Sequence, residues 1–305
     1  MARAARRAFA LEFAILVREE DPGIGGEKIF ELYKKEFVKG EPIGRDAFLS
    51  MLNDNGMKIR QKPRKKPKTT DSAHGLPTYP NLIREFIPTS PNQLWVSDIT
   101  YILIKDRDDS YSFCYLSLIM DAYTKEIVGW SVGPTLETTY PLEALRMALK
   151  RIEGKEDVNL IHHSDRGCQY ASSHYISLLR SHGIKISMTE SGDPLENSEA
   201  ERLNNTMKNE LLRGLTFTCV EDVEYRVLKA VEFYNNRRPH MSINMMTPAE
   251  ASLCNGEIQK RWTSYREIAI KNKSNDSNNP ENSLPLSHGL VKPSQSQPSI
   301  GIRLG

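Results

Sequence analysis

The chain has 305 residues, 39% of them hydrophobic and 26% charged, with a formal net charge of +2 at pH 7. This is a globular protein with one large or two modest domains and enough apolar content for a real core; so small a net charge is no argument for a nucleic-acid partner, which must rest on where the charge sits. The four cysteines, Cys114, Cys168, Cys219 and Cys254, are far apart and form no CxxC pair, which argues against a zinc knuckle or a disulfide framework and fits a reducing compartment.

The N-terminus, ARRAFALEFAILV, has the basic start and apolar middle of a signal peptide, but Glu12 breaks the apolar run and REED follows at once. It reads as a helix with Phe9, Phe13, Leu16 and Val17 on one face, and no stretch approaches the ~20 apolar residues of a membrane span. After Pro22, Gly23, Gly25 and Gly26, KIFELYKKEF has helical spacing, and a third helix is expected from about Gly44 to Asn55, with Ala47, Phe48, Met51 and Leu52 as its stripe. Residues 1–56 therefore suit a helix-turn-helix; a three-helix bundle with no DNA role fits the same pattern.

Residues 57–90 read as a linker. Lys58, Arg60, Lys62, Arg64, Lys65, Lys66 and Lys68 carry seven positive charges with no acid among them, and Pro63 and Pro67 forbid a continuous helix. Such an arm suits phosphates, whose neutralisation releases counterions; the bland reading is a solvated linker.

From Pro91 the pattern becomes α/β. Strands are expected at 94–104, 112–121 and 126–132 as an antiparallel meander, then a helix at about 138–152, a strand at 159–163, a helix at about 172–182 and a strand at 184–188. An amphipathic helix with Ala200, Leu203, Met207 and Leu211 on one face and Asn197, Glu201, Asn205 and Lys208 on another comes next, then a helix over 220–235, the motif YNNRRPH and a short helix at TPAEAS. Five strands in a mixed sheet with helices on both faces are expected over 91–255. Residues 256–305 form an extension, and beyond about Lys273 the Ser, Asn and Pro content points to disorder.

Three acids stand out. Asp98 interrupts the strand LWVSDITYILI, Asp165 follows the short strand of LIHHSDRGCQY, and Glu201 lies on the amphipathic helix, with thirty-five residues between Asp165 and Glu201. Three convergent carboxylates suit phosphoryl transfer with two metal ions, and hard Mg²⁺ or Mn²⁺ prefers oxygen ligands. Among neighbouring acids, Glu196 and Glu199 point elsewhere on the helix, where acids offset the dipole, and Asp121 closes a strand before a turn. His162 and His163 are expected to hydrogen bond or to touch DNA.

WVSDITY, HHSDRGCQY, the ENSEAERLNNTMK helix, YNNRRPH and TPAE, in that order and spacing, resemble the DDE transposases related to retroviral integrases, and more narrowly the OrfB-type transposases of the insertion-sequence-three family. The resemblance implies an RNase H-like core behind a helix-turn-helix, with Asp98, Asp165 and Glu201 as the metal-binding catalytic triad and two Mg²⁺ ions, Mn²⁺ substituting. It implies cleavage and strand transfer at the ends of the element's own DNA, a homo-oligomer on that DNA, and an upstream-frame fusion partner. A basic residue two helical turns after the Glu contacts the DNA end in such families, and Lys208 occupies that position; α-helical geometry places it near Glu201's face. Arg166, Arg237 and Arg238 are further candidate phosphate contacts, and the helix near Arg45 with Lys62, Arg64, Lys65 and Lys66 is expected to recognise the ends. A bacterial cytoplasm, with DNA-bound chain at the nucleoid, is the expected location. The alternative is a catalytically silent copy acting as a DNA-binding regulator; a nuclease of RNA–DNA hybrids is a third reading, for which the basic arm is superfluous.

Overall fold

The computed structural model describes residues 3–36, 42–59, 75–155, 159–190 and 194–277. Of the expected features, the basic segment with Lys62, Arg64, Lys65 and Lys66 and most of the tail lie outside these. The chain begins with three helices, α1 (Arg3–Glu20), α2 (Gly26–Glu36) and α3 (Arg45–Asp54). The meander follows as β1 (Leu94–Lys105), β2 (Tyr111–Asp121) and β3 (Ile127–Gly133), then α4 (Thr139–Leu149), β4 (Ile161–Ser164), α5 (Cys168–Ala171), α6 (Ser173–Ser181) and β5 (Lys185–Met188). A 3-10 turn (Pro194–Asn197) leads into α7 (Ser198–Thr206), which passes into a π-helical turn (Met207–Leu211); α8 (Val220–Asn236) and α9 (Pro248–Ala251) close the core. One further helix, α10 (Tyr265–Ser277), belongs to a separate unit starting at Tyr265. It was not expected, because its few apolar residues do not build a strong stripe. No helix among the described residues is long and apolar enough to cross a membrane.

The sheet has the order β3-β2-β1-β4-β5. The first three strands are antiparallel, as their short connections require, and β4 and β5 run parallel to β1, each reached through a helical crossover. This is the RNase H-like arrangement. Alternation along β1 sends Leu94, Val96, Ile102 and Ile104 to one face and Trp95 and Ile99 to the other. On the second face α4, α5 and α6 bury Leu145, Tyr170, Tyr175 and Leu179. On the first lie α7 and α8, through Ala200, Leu203, Met207, Leu211, Val223 and Val227.

The N-terminal helices do not stand apart from this. Ala10, Ala14, Val17, Ile29, Tyr33, Phe48 and Met51 belong to the same continuous core as Leu203, Met207 and Val227, and residues 1–264 form one compact unit. The boundary expected near residue 56 separates helices from sheet along the sequence, not in packing.

Candidate active site

Two carboxylates are brought side by side by strand register. In the parallel β1–β4 pair Val96 is opposite His163; two residues on, with the same pleat, Asp98 comes abreast of Asp165, across neighbouring strands that run about 5 Å apart. Asp165 sits just past the end of β4, held by the Gly167 N–H donating to its Oδ1 at 3.0 Å. A Cβ on Gly167 would stand 3.0 Å from that same oxygen, so a side chain there would press on the Asp165 carboxylate.

The third acid arrives on α7, whose apolar stripe presses it onto the first face of the sheet. Asn204 Nδ2 donates to Asp98 Oδ2 at 2.8 Å, and Asn197 Nδ2 donates to the Ser97 carbonyl at 3.1 Å. Glu201, one turn before Asn204, is exposed on the adjoining surface. Asp98 is half-buried, and burial, together with the negative charge of Asp165 and then of Glu201, pushes its carboxyl up to about 8, against the hydrogen bonds from the Ile99 N–H and Asn204. The polar residue facing Asp98 is therefore Asn204 and not Asn205, which is exposed. Spacing from Glu201 gave the signal for it, since residues three apart share a helix face.

Among the described residues, no three Asp, Glu, His or Cys side chains already form a finished metal cage. Asp98 and Asp165 are the adjacent pair, and Glu201 lies near enough for its charge to act on Asp98. All three offer carboxylate oxygens of the kind a hard divalent ion takes.

The other expected residues fall into two groups. Lys208 is half-buried, with Nζ 3.9 Å from the ring centroid of Tyr101 on β1. It lies in the π turn, where the Leu212 N–H donates to the Met207 carbonyl five residues back, so the α-helical spacing that aligned it with Glu201 does not hold throughout. Arg166 Nε donates to the Thr189 carbonyl at 2.6 Å, Arg237 is exposed and ion-paired with Glu20, and Arg45 is exposed beside Asp46. Arg238 is a correction: its side chain is turned into the protein and makes a two-pronged ion pair with Glu210, Nε to Oε1 at 2.7 Å and Nη2 to Oε2 at 3.0 Å, and is not at the surface as a phosphate contact.

YNNRRPH as a whole is largely internal. Asn235 brackets the Ile127 backbone with two hydrogen bonds of 2.9 Å, and Tyr234 and His240 pack ring against ring at 4.6 Å. His162 and His163 are core histidines as well: Tyr175 meets His162 Nε2 at 3.0 Å, and His163 bridges Ser187 Oγ and the Glu196 carbonyl. Burial lowers them to about 3 and about 4, which keeps both neutral. Asp121 accepts three backbone N–H groups, from Asn92, Tyr123 and Thr124, and so builds the turn after β2. Glu199 pairs with Lys125 at 3.1 Å, away from Asp98.

Family models described as Integrase core domain match residues 88–194 and 182–248. The insertion element IS600 uncharacterized 31 kDa protein of Shigella sonnei is 35% identical over 209 residues, 68% of this chain and 74% of that one. Transposase InsF for insertion sequence IS3A of Escherichia coli (strain K12) is 31% identical over 70% of this chain and 72% of its own length. The chain belongs to the insertion-sequence transposases with an integrase core. A further relative of this transposase, the transposase for insertion sequence element IS629 of Shigella sonnei, is 34% identical over 61% of this chain and 60% of its own. Among solved structures, the HTLV-2 integrase catalytic core domain in complex with magnesium aligns with 53% of this transposase and 97% of that chain, at 18% identity and a TM-score of 0.40, a likeness that adds nothing to the assignment. The transposase is a DDE-type polynucleotidyl transferase of DNA integration.

Proposed function

We propose that Asp98, Asp165 and Glu201 are the catalytic acids with which this transposase cuts and joins DNA strands at the ends of its own insertion sequence. The observation that carries this reading is the placement of Asp98 abreast of Asp165 with Glu201 near enough to add its charge, so that Asp98 is pushed up to about 8 by burial and by both acids. Asp98 and Asp165 would flank two divalent ions, Mg²⁺ or Mn²⁺ in its place, and Glu201 would complete the second site. Ions held there would supply Lewis-acid activation of an attacking oxygen and stabilisation of a leaving one. The protein's own part is positional. β1 and β4 hold two acids at fixed spacing, Asn204 fixes the Asp98 carboxylate, and the α7 stripe keeps Glu201 beside the pair.

Lys208, Arg166 and Arg237 are the proposed phosphate contacts of the core. Arg45 and the basic segment with Lys62, Arg64, Lys65 and Lys66 are the proposed readers of the ends, in which the positive charge of that segment does most of the binding, because the exposed side of α3 also carries Asp46 and Asp54. Two ends must meet, which calls for a dimer or larger assembly on DNA in the bacterial cytoplasm, with an upstream-frame partner supplying further contacts.

The test is nicking of a labelled duplex carrying the element's end, with Mg²⁺, by the wild type and by Glu201→Gln. Metal-dependent nicking is expected in the wild type and a drop of at least about 100-fold in the variant, with end binding kept. Equal nicking by both would remove Glu201 from the site. Binding without cutting, even when fused to the upstream partner, would favour a DNA-binding regulator.

A further inference from the structure

Nine residues beyond Glu201 the helix runs into a buried charge cluster drawn from three distant parts of the chain. Glu210, in the π turn, accepts from Lys28 Nζ of α2 at 2.8 Å and from Arg238 of YNNRRPH at 2.7 and 3.0 Å. Arg238 is sandwiched in turn, its guanidinium 5.3 Å from the Tyr234 ring centroid and its Nη1 2.9 Å from His240 Nε2. Asp21, fully buried between α1 and α2, accepts from the Gly23 N–H at 3.2 Å.

The contact extends to the backbone. The Gly23 N–H also donates to the Glu210 carbonyl at 3.0 Å, and a Cβ on Gly23 would stand 2.5 Å from Glu210 Cα. Only a glycine lets the α1–α2 turn lie directly on the π turn. Glu210 is thus gripped at its carboxylate by two cations and at its carbonyl by the N-terminal helices. A buried ion pair of this kind is best attested as a device that fixes register, and the π turn, with the Leu212 N–H donating to the Met207 carbonyl, departs from α-helical register at this point.

We propose that Glu210 is a positioning residue. Clamped between Lys28 and Arg238, it sets the rotation of the helix bearing Glu201 and Lys208, so that docking of the N-terminal helices tunes the catalytic site. This rests on the reading of Glu201 and Lys208 given above. Lys28 touches none of the three proposed catalytic acids and no DNA in that reading; its ion pair is with Glu210.

The test compares the full chain with Lys28→Met, Lys28→Arg and Glu210→Gln. Hydrogen exchange over residues 198–212 reads the coupling without any need for catalysis. Faster exchange there is expected in Lys28→Met and Glu210→Gln, with wild-type protection kept in Lys28→Arg. Nicking of the end duplex, per folded molecule, is expected to fall about 100-fold in the same two variants, with a higher half-saturating Mg²⁺ concentration, because a displacement of about 1 Å suffices. End binding should fall only a few-fold, since Lys208 is the one proposed phosphate contact on the helix that the clamp orients. Unchanged exchange over 198–212 in Lys28→Met would overturn the proposal, as would activity lost only in proportion to the unfolded fraction at an unchanged Mg²⁺ midpoint. If the exchange result holds while Glu201→Gln nicks like the wild type, the clamp stands and the catalytic assignment of Glu201 fails.

Discussion

Asp21 has no exposure at all and Glu210 as a hydrogen-bonding neighbour. Burial first, then the charge of Glu210, pushes its carboxyl up to about 7, although Arg238 and Lys28 pull the other way. The folded chain therefore holds a proton on Asp21 that the unfolded chain gives up near pH 4, and stability falls as pH rises from about 4 to 7. Glu210 has the opposite sign: held down to about 2 by Arg238 and Lys28 against the effect of burial, it adds stability above its ordinary range that is lost only as pH falls towards 2. Asp21→Asn, which keeps an acceptor for Gly23 and imitates the neutral acid, is expected to flatten the decline between about pH 4 and 7, leaving Tm near pH 4 little changed and raising Tm at pH 7 by a few degrees, at roughly 2–4 °C per kcal/mol. Melting curves at both pH values check this; an unaltered slope would mean that Asp21 is ionised in the fold. Of the three proposed catalytic acids, Asp98 stands out in the sequence because it interrupts a strand pattern; Asp165 and Glu201 sit in ordinary polar positions, and it is the ordered motifs that single them out. Glu210 does not stand out. Its contacts with Lys28 and Arg238 span 182 and 28 residues, and locally an acid late in a helix looks like any solvated one.

At the scale of elements, all five strands and the core helices except the short α5 were readable from alternation and helical stripes, with ends displaced by a few residues. The π turn was not, since its apolar positions Met207 and Leu211 keep the spacing of an α-helix and only the hydrogen bonds differ. The joint between β3 and α4 shows how tightly elements meet. A Cβ on Gly129 would stand 2.1 Å from the Ala144 carbonyl oxygen. Backbone leaves no room to yield, so Gly129→Ala is expected to cost about 2–3 kcal/mol or more by forcing α4 off the sheet, a fall in Tm of at least roughly 5 °C. Thermal unfolding checks this, and a variant as stable as the wild type would show that α4 slides without penalty.

At the scale of the molecule, one hydrophobic core runs from Ala10 to Tyr234 and makes the N-terminal helices part of the catalytic body. Removing residues 1–56 would take Ala10, Ala14, Val17, Ile29, Tyr33, Phe48 and Met51 out of the shared core and leave Glu210 with one cation. The truncated chain is expected to aggregate or to melt well below the full chain, measured by light scattering and calorimetry; a monomeric, equally stable fragment would show that the helices are an independent module. A DNA role for them is a proposal that the sequence supports less directly than their existence, because helix stripes report burial, and the exposed side of α3 mixes Arg45 and Asn53 with Asp46 and Asp54.

The Gly23–Glu210 contact reaches beyond stability. Chimeras between related mobile elements are most simply built by exchanging the N-terminal helices at the linker and keeping the core. Here such a graft also swaps one half of a lock, since the incoming α1–α2 turn must bring a residue without a side chain at position 23 and a cation at position 28 to fit a core it did not evolve with. Relatives that differ at those two positions would make mismatched hybrids even when their ends are recognised, so the seam for retargeting lies within the pair of surfaces and not at the linker.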